Sequence, residues 1–367
     1  MRAVAVIFAV ALILAILLDA FETVVLPRRV SRRQRLALFV FIPAWRTFSG
    51  WMRRMPAGSR RENILSYFGP GSTLMLLAAW AVGMILGFGL LFWGLGSHLI
   101  VPEGAPNLGT DLYMSGTTFF TLGLGDVAPR TVLTRLATIA EAGIGFAFLA
   151  LVISYLPVLY QAFSQRESRI TLLDAWAGSP PAAVELLRRL GASQHLSALD
   201  PFLEKWEEWA GDLLNSHIAY PALCFFRSEH DNQSWLAALT TILDACAVVM
   251  AGMDGVQSRG AALTFAMARH AVVDLSQILN RPPRFPEVDR LPPDDLARLR
   301  AILAEAGLRL TDGRPFEERL AELRAMYEPY ANSLGAYLLM PLPAWIPPPG
   351  ARDNWQRSRW KTVSRFP

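Results

Sequence analysis

Three long runs of apolar residues occur in the first part of the chain, at residues 3–26, 73–94 and 132–157. Each is long enough for a helix to cross the hydrocarbon core of a bilayer, which takes about 20 apolar residues. A shorter apolar run at residues 36–51 contains Pro43 and Arg46, so we expect it to lie along a membrane surface. The pattern predicts an all-α membrane protein whose first run is a span rather than a cleaved signal peptide.

From residue 161 onward, apolar and charged residues alternate at helical spacing, which predicts an α-helical cytoplasmic domain over residues 161–340. The predicted helices are residues 164–177, 181–190, 198–214, 235–253, 260–279, 294–306 and 316–339. A proline-rich, basic and aromatic tail follows at residues 341–367. We expect this tail to be extended, and either disordered or held at the membrane surface or a neighbouring subunit.

The charge pattern sets the expected topology. Ten arginines fall in one stretch without Asp or Glu: Arg28, Arg29, Arg32, Arg33, Arg35, Arg46, Arg53, Arg54, Arg60 and Arg61. Nucleic acid is one partner for such a block, but its place between two apolar runs favours the cytoplasmic side of a membrane, so we expect no nucleic acid. Residues 1–26 then form a first transmembrane helix with its N-terminus outside, and residues 27–71 a basic cytoplasmic linker. Asp19 and Glu22 are expected to reach the head groups at its inner end, with a gating role as the alternative.

The segment between the second and third runs carries the candidate chemistry. Residues 110–120 are moderately apolar and open with the capping-type residues Thr110 and Asp111, which predicts a short helix entering the membrane from outside. The motif TLGLGD follows at residues 121–126. Its alternating glycines tolerate the backbone dihedrals that turn successive carbonyls toward one axis, and stacked carbonyl cages replace the water shell of a cation.

The order of span, pore helix, T-x-G-x-G-D and span resembles the pore module of the potassium channel superfamily, in its bacterial single-pore form, over residues 72–160. The resemblance implies helices at residues 72–95 and 131–158 around a tetrameric pore, and therefore a homotetramer. It implies that K⁺ is coordinated by the carbonyls of Thr121, Leu122, Gly123 and Leu124 and by the Thr121 hydroxyl, with Gly125 completing the filter. It also implies that Asp126 packs behind the filter, with Tyr113 as its hydrogen-bond partner.

This sequence departs from the family at Leu124, where most members have Tyr or Phe. The Leu carbonyl still binds an ion, but no phenol ties the filter to its surroundings, which weakens the expectation of strict K⁺ selectivity. The alternative interpretation of TLGLGD is a glycine-rich extracellular turn. The function predicted is a passive K⁺ channel in a bacterial inner (plasma) membrane, gated at its inner helix by the cytoplasmic domain. The alternative is a non-conducting or weakly selective membrane sensor or scaffold that binds a partner through its helical domain.

The third run contains the predicted inner helix. Gly143 and Gly145 are candidate gating hinges, and close helix packing is an equally good explanation for them. Glu141 is a costly residue inside a span, and we expect it to support the filter rather than to concentrate cations. Residues of helical spacing predict an apolar cavity below the filter: Phe146, Leu149 and Ile153.

The cytoplasmic half shows no nucleotide-binding fingerprint, and no nucleophile with a base and an orienting partner, so we expect no enzyme activity, no cofactor beyond the permeant K⁺ and an unidentified gating ligand or partner protein. The polar run at residues 225–235 is either a ligand or metal site or a solvated turn that caps the next helix. His195, His217 and His270 are expected to be structural, and Cys224 and Cys246 to be core residues without a disulfide.

Overall fold

The computed structural model describes residues 1–25, 36–192, 196–256 and 258–356. The chain forms two compact units. The first contains Met1–Met55 and Tyr67–Gln161, and the second contains Pro56–Ser66 and the chain from Ala162 onward. Five of the ten arginines of the basic stretch, Arg28, Arg29, Arg32, Arg33 and Arg35, lie outside the described residues.

Nearly all regular structure in the described residues is helical. The α-helices are α1 Arg2–Ala20, α2 Leu36–Met52, α3 Ser59–Ser66, α4 Phe68–Gly94, α5 Leu108–Phe119, α6 Val132–Ala177, α7 Ala183–Ala192, α8 Leu199–Ala219, α9 Trp235–Gly252, α10 Arg259–Ile278, α11 Pro293–Glu305, α12 Arg314–Ala325 and α13 Glu328–Leu338. A π-helical turn at Phe21–Val25 follows α1. Two short strands, β1 Leu99–Ile100 and β2 Ala128–Pro129, pair antiparallel.

Four described helices are long and apolar enough to cross a membrane: the helix at Arg2–Val24, the α3–α4 stretch, α6 and α9. The first three contain the predicted spans. The fourth, α9, is buried from Trp235 to Val249 inside the second unit, so its apolar surface is already covered by protein. The chain is an all-α membrane protein, as its hydrophobic pattern predicts.

The core of the first unit forms where glycines let helices approach closely. A Cβ atom at Gly83 would lie 2.5 Å from the side chain of Ile16, and one at Gly87 would lie 2.7 Å from Ile13, so α1 packs directly on α4. Asp19, near the end of α1, is buried and accepts a 2.8 Å hydrogen bond from the indole of Trp80. The expectation that Asp19 reaches the head groups is therefore wrong, because its carboxylate binds a donor on the neighbouring helix.

The second unit packs around α9, and a buried charged cluster joins its last helices. Arg290 donates to Asp244 on α9 at 2.7 Å, to Glu328 on α13 at 2.9 Å and to the carbonyl of Pro343 at 2.7 Å. The Tyr327 hydroxyl donates to the same Asp244 at 2.5 Å. These contacts satisfy charges that would be costly to bury unpaired, so they specify how the C-terminal segment docks.

Three predicted boundaries need correction. The third span and the predicted helix 164–177 are one continuous helix, α6, which contains Pro157. The predicted helix 316–339 is two helices, because Pro329 in the first turn of α13 has no amide hydrogen to continue α12. The linker 27–71 is divided, since α3 belongs to the second unit.

The tail is also different from the expectation. Trp345 is buried, and Asp353 forms an ion pair with Arg189 at 2.9 Å. Asn354 donates to Asp174 at 3.0 Å. Residues 341–356 are therefore part of the helical domain, because buried aromatic and polar contacts hold them there, while residues 357–367 lie outside the described part of the chain.

The two cysteines provide a test of the second unit's core. Both are buried and free, and burial raises the pKa of Cys224 to about 12 and raises the pKa of Cys246 as well. Because the thiolate is the reactive form, we expect neither cysteine to react with a maleimide in folded protein at neutral pH. Mass spectrometry should show unlabelled native protein, and two labels after denaturation. Fast labelling of native protein would contradict this packing.

Candidate functional site

The short helix α5 is positioned by its cap and by a glycine on the neighbouring helix. It begins after Asn107, whose side chain accepts a 3.1 Å hydrogen bond from the amide of Thr110. The predicted caps Thr110 and Asp111 therefore lie inside the first turn, because Asn107 with Thr110 forms the capping box. A Cβ at Gly89 of α4 would lie 2.6 Å from Leu112, so only glycine lets α5 approach this closely.

The backbone after α5 folds back onto the end of that helix. The amide of Thr121 donates to the carbonyl of Thr118 at 2.9 Å, and the amide of Leu122 donates to Thr117 at 2.8 Å. The angle φ is positive at Thr121 (54°), Gly123 (57°) and Gly125 (81°), and not at the two leucines between them. This alternation is the geometry that an ordinary L-residue adopts reluctantly and that a row of inward-facing carbonyls requires.

Two further contacts fix the ends of this segment. The Tyr113 hydroxyl on α5 donates to Asp126 at 2.8 Å. Beyond Asp126, β2 pairs with β1, with Leu99 opposite Pro129, and the amide of Arg130 donates to the carbonyl of His98. The segment at residues 120–126 is therefore held by α5 on one side and by the paired strands β1 and β2 on the other.

The helix α6 contacts α5 at two places. Glu141 is fully buried, and its carboxyl lies 2.5 Å from the hydroxyl of Ser115. One turn later, a Cβ at Gly145 would lie 2.0 Å from the backbone oxygen of Phe119, whereas a Cβ at Gly143 would meet nothing within 4 Å. Gly145 therefore has a packing reason to be glycine, and both glycines lie within the unbroken α6, where a hinge role stays a prediction.

The remaining predicted residues lie on surfaces that the described residues leave uncovered. Leu122 and Leu124 are 62% and 64% exposed. The three predicted cavity residues, Phe146, Leu149 and Ile153, are also exposed on α6. Apolar side chains at membrane depth that have no partner within the chain need either lipid or another subunit against them.

The polar run at residues 225–235 contains a turn before α9 in which Glu229, His230 and Asp231 are exposed, as the second interpretation predicts, while its flanking residues pack within the second unit. Ser234 caps α9 by accepting from the amide of Ala237 at 3.0 Å. Arg227 forms an ion pair with Glu62 of α3 at 3.5 Å and donates to the carbonyls of Leu338 and Leu339. Burial lowers the pKa of Arg227 to about 10, and burial raises the pKa of Glu62 despite the nearby arginines. The run therefore connects α3 to the end of α13.

The helix α6 is anchored in the same region. The guanidinium of Arg166, which is buried, donates to the carbonyls of Leu223 and Phe226 at 2.9 and 3.0 Å and pairs with Glu167 at 2.8 Å. His217 is buried beside it, and burial lowers the pKa of His217 well below its ordinary value.

The other two histidines singled out from the sequence, His195 and His270, do not contribute to a described site. His270 is mostly exposed and lies 3.4 Å from Asp274. His195 lies outside the described residues. Across the described ranges, no group of three or more His, Cys, Asp or Glu side chains is arranged to hold a metal ion.

Sequence reasoning missed Asn107, Ser115 and Trp80. Asn107 was detectable, because Asn is among the residues preferred at a helix N-cap. Ser115 and Trp80 have no local signature, but a buried carboxylate requires a polar partner, so Glu141 and Asp19 each implied that one existed.

Comparison with known proteins identifies the class of protein to which this chain is similar. Residues 74–161 match a family described as Ion channel. The uncharacterized membrane protein YdjJ of Bacillus subtilis (strain 168) is 24% identical over 219 residues, which are 58% of this chain and 62% of that protein. The Protein LctB of Geobacillus stearothermophilus is 32% identical over 92 residues, 22% of this chain and 68% of that protein. No solved structure matches the chain significantly.

The chain belongs to the ion channel family, and residues 74–161 are the part that carries the membership. This confirms the resemblance of its pore module to the channel superfamily. The match to YdjJ extends well beyond the length of a pore module, although the chain spans less than two thirds of that relative.

The contact at Gly145 predicts a difference between two neighbouring glycines. Gly145→Ala would place a methyl group against the Phe119 carbonyl, and overpacking of this kind costs about 1–3 kcal/mol or more where backbone must move. Gly143→Ala meets open space and should stabilise α6 by up to about 1 kcal/mol. Thermal unfolding of the two purified variants in detergent checks this. Equal midpoints would show that α6 and α5 do not approach as described.

Proposed function

We propose that this chain is one subunit of a homotetrameric channel that conducts K⁺ passively through residues 121–125, with no reaction catalysed. The observation that carries the proposal is the alternation of φ at Thr121, Gly123 and Gly125, in a segment braced by the end of α5 and by the Tyr113–Asp126 hydrogen bond. One chain contributes one side of a carbonyl cage, and closing the cage takes four. The exposed leucines at positions 122 and 124 and the exposed face of α6 support this assembly.

We further propose that the channel lies in a bacterial plasma membrane with its N-terminus outside and its second unit in the cytoplasm. The arginine-rich stretch between α1 and α4 supports this orientation. Gating acts on α6, which continues without a break from the first unit into the second, where Arg166 anchors it. A ligand that binds two arrangements of the second unit unequally would shift the gate.

Ion flux is the direct test. Purified protein in liposomes with an outward potassium gradient should show K⁺ efflux that Ba²⁺ diminishes, since a divalent ion of similar size enters the cage and leaves slowly. A filter of this type should pass K⁺ well ahead of Na⁺. Folded tetramers that show no flux under varied pH and calcium would instead support the sensor or scaffold function.

Two variants test whether ions follow this backbone. Gly123→Ala forces a left-handed φ on an L-residue, at about 1–2 kcal/mol in each subunit, and should reduce flux about tenfold or more. Leu124→Tyr keeps the backbone and adds a phenol that can bond to the surrounding shell, so conduction should persist with equal or stricter selectivity for K⁺ over Na⁺. Selective flux of ordinary size through the Gly123→Ala protein would show that ions do not pass along this segment.

The subunit number is tested separately. Native mass spectrometry of the protein in a lipid-preserving detergent should give four copies of the 40.6 kDa chain. A stable monomer or dimer in lipid would remove the basis for the pore.

A further inference from the structure

Three oxygen atoms from three helices meet at Ser115, on the helix that directly precedes residues 121–125. The Ser115 hydroxyl oxygen on α5 lies 2.8 Å from the carbonyl oxygen of Ile85 on α4. The same hydroxyl oxygen lies 2.5 Å from Oε1 of Glu141 on α6. Ser115 and Glu141 are both completely buried.

Counting hydrogen atoms decides how these groups are bonded. A serine hydroxyl carries one hydrogen, and a backbone carbonyl has none to give. If the Ser115 hydrogen points to Ile85, the contact with Glu141 needs a hydrogen from the carboxyl group. If it points to an ionised Glu141, the Ile85 oxygen faces a hydroxyl oxygen at 2.8 Å with no hydrogen between them. Both contacts are hydrogen bonds only when Glu141 is a carboxylic acid.

The second oxygen of Glu141 gives an independent argument. Among the residues that the structure describes, Oε2 of Glu141 is buried and has no hydrogen-bond partner. A carboxylate with one unsolvated oxygen is far more costly to bury than the carbonyl oxygen of a neutral acid.

The charged groups around this site are engaged elsewhere. Asp111, one turn before Ser115 on α5, accepts from Ser97 at 2.6 Å. Asp126 accepts from Tyr113, and Arg135 on α6 donates to the carbonyl of Pro129 at 3.4 Å. None of these contacts offers a cation that would stabilise an ionised Glu141.

We infer that Glu141 is a neutral acid that donates to Ser115, which donates to the Ile85 carbonyl, and that this proton chain positions α5 behind the filter. The inference rests on the proposed channel function for its effect on conduction. Ser115 and Glu141 are positioning residues, since neither lies on the segment at 121–125. Removing the proton from Glu141 would turn the Ser115 hydrogen toward Glu141 and leave the Ile85 carbonyl without a hydrogen-bond donor. It would also bury a negative charge. Flux should therefore fall as the pH rises far enough to ionise Glu141.

Infrared spectroscopy tests the proton without needing conduction. At neutral pH, full-length protein in lipid should show the carbonyl stretching band of a carboxylic acid, which disappears in Glu141→Gln. Ser115→Ala keeps the acid and removes its acceptor, so the same band should shift in frequency. Identical spectra for the wild-type protein and Glu141→Gln in this region at neutral pH would overturn the inference, because Glu141 would then be ionised.

Flux against pH gives the second readout. Glu141→Gln retains an amide donor for Ser115 and cannot ionise, so its flux should resemble that of the wild type at neutral pH and stay flat where the wild type declines. A purely structural contact would give two parallel pH profiles, which would overturn the positioning role. If the acid band is present and neither protein conducts, the proton chain is supported and the proposed channel is not. If the wild-type protein conducts and the acid band is absent, the channel is supported and the proton chain is overturned.

Discussion

Backbone that leaves helical geometry at membrane depth must have its polar groups directed at something other than lipid. In the proposed channel, residues 121–125 are such a stretch, and φ is positive at Thr121, Gly123 and Gly125. Their amides are partly satisfied by the exposed carbonyls at the end of α5, which accept from Thr121 and Leu122. The other helices of the first unit hold this end of α5 in a fixed position.

That requirement explains where the glycines fall. Gly89 admits Leu112 of α5 against α4, and Gly145 admits the carbonyl of Phe119 against α6. The contact at Gly145 is with the backbone of Phe119, and the contact at Gly89 is with the side chain and Cα of Leu112, so α5 packs closely against both neighbouring helices. Gly83 and Gly87 repeat the arrangement one layer outward, where α1 covers α4. The N-terminal helix thus supports the pore module from behind and is tied by the Asp19–Trp80 hydrogen bond.

Features with a local chemical cause were predictable from the sequence, and features set by distant partners were not. The length of the apolar runs and the TLGLGD pattern specify the spans and the turn after α5, because bilayer thickness and glycine dihedrals are general constraints. Pro157 suggests a helix end by the same local logic, yet α6 continues through it, since a proline inside a membrane helix is tolerated when surrounding groups compensate. The ring of Trp345, by contrast, lies 5.7 and 5.6 Å from the guanidinium groups of Arg290 and Arg324, and no local sequence pattern pairs these distant residues.

The path of the chain also bears on how the proposed channel could be regulated. The second unit holds the chain at two points that lead directly into the pore module: α3, one residue before α4, and the end of α6. Arg227 binds Glu62 on α3, while Arg166 binds the Leu223 and Phe226 carbonyls from α6, so one short stretch of the second unit contacts both. In the proposed channel, a rearrangement of residues 223–227 would therefore act on α6 and on α3, which leads into α4, together. In the proposed channel, such a rearrangement would be passed along the chain into α4 and α6, the two helices that pack on α5 at Gly89 and Gly145.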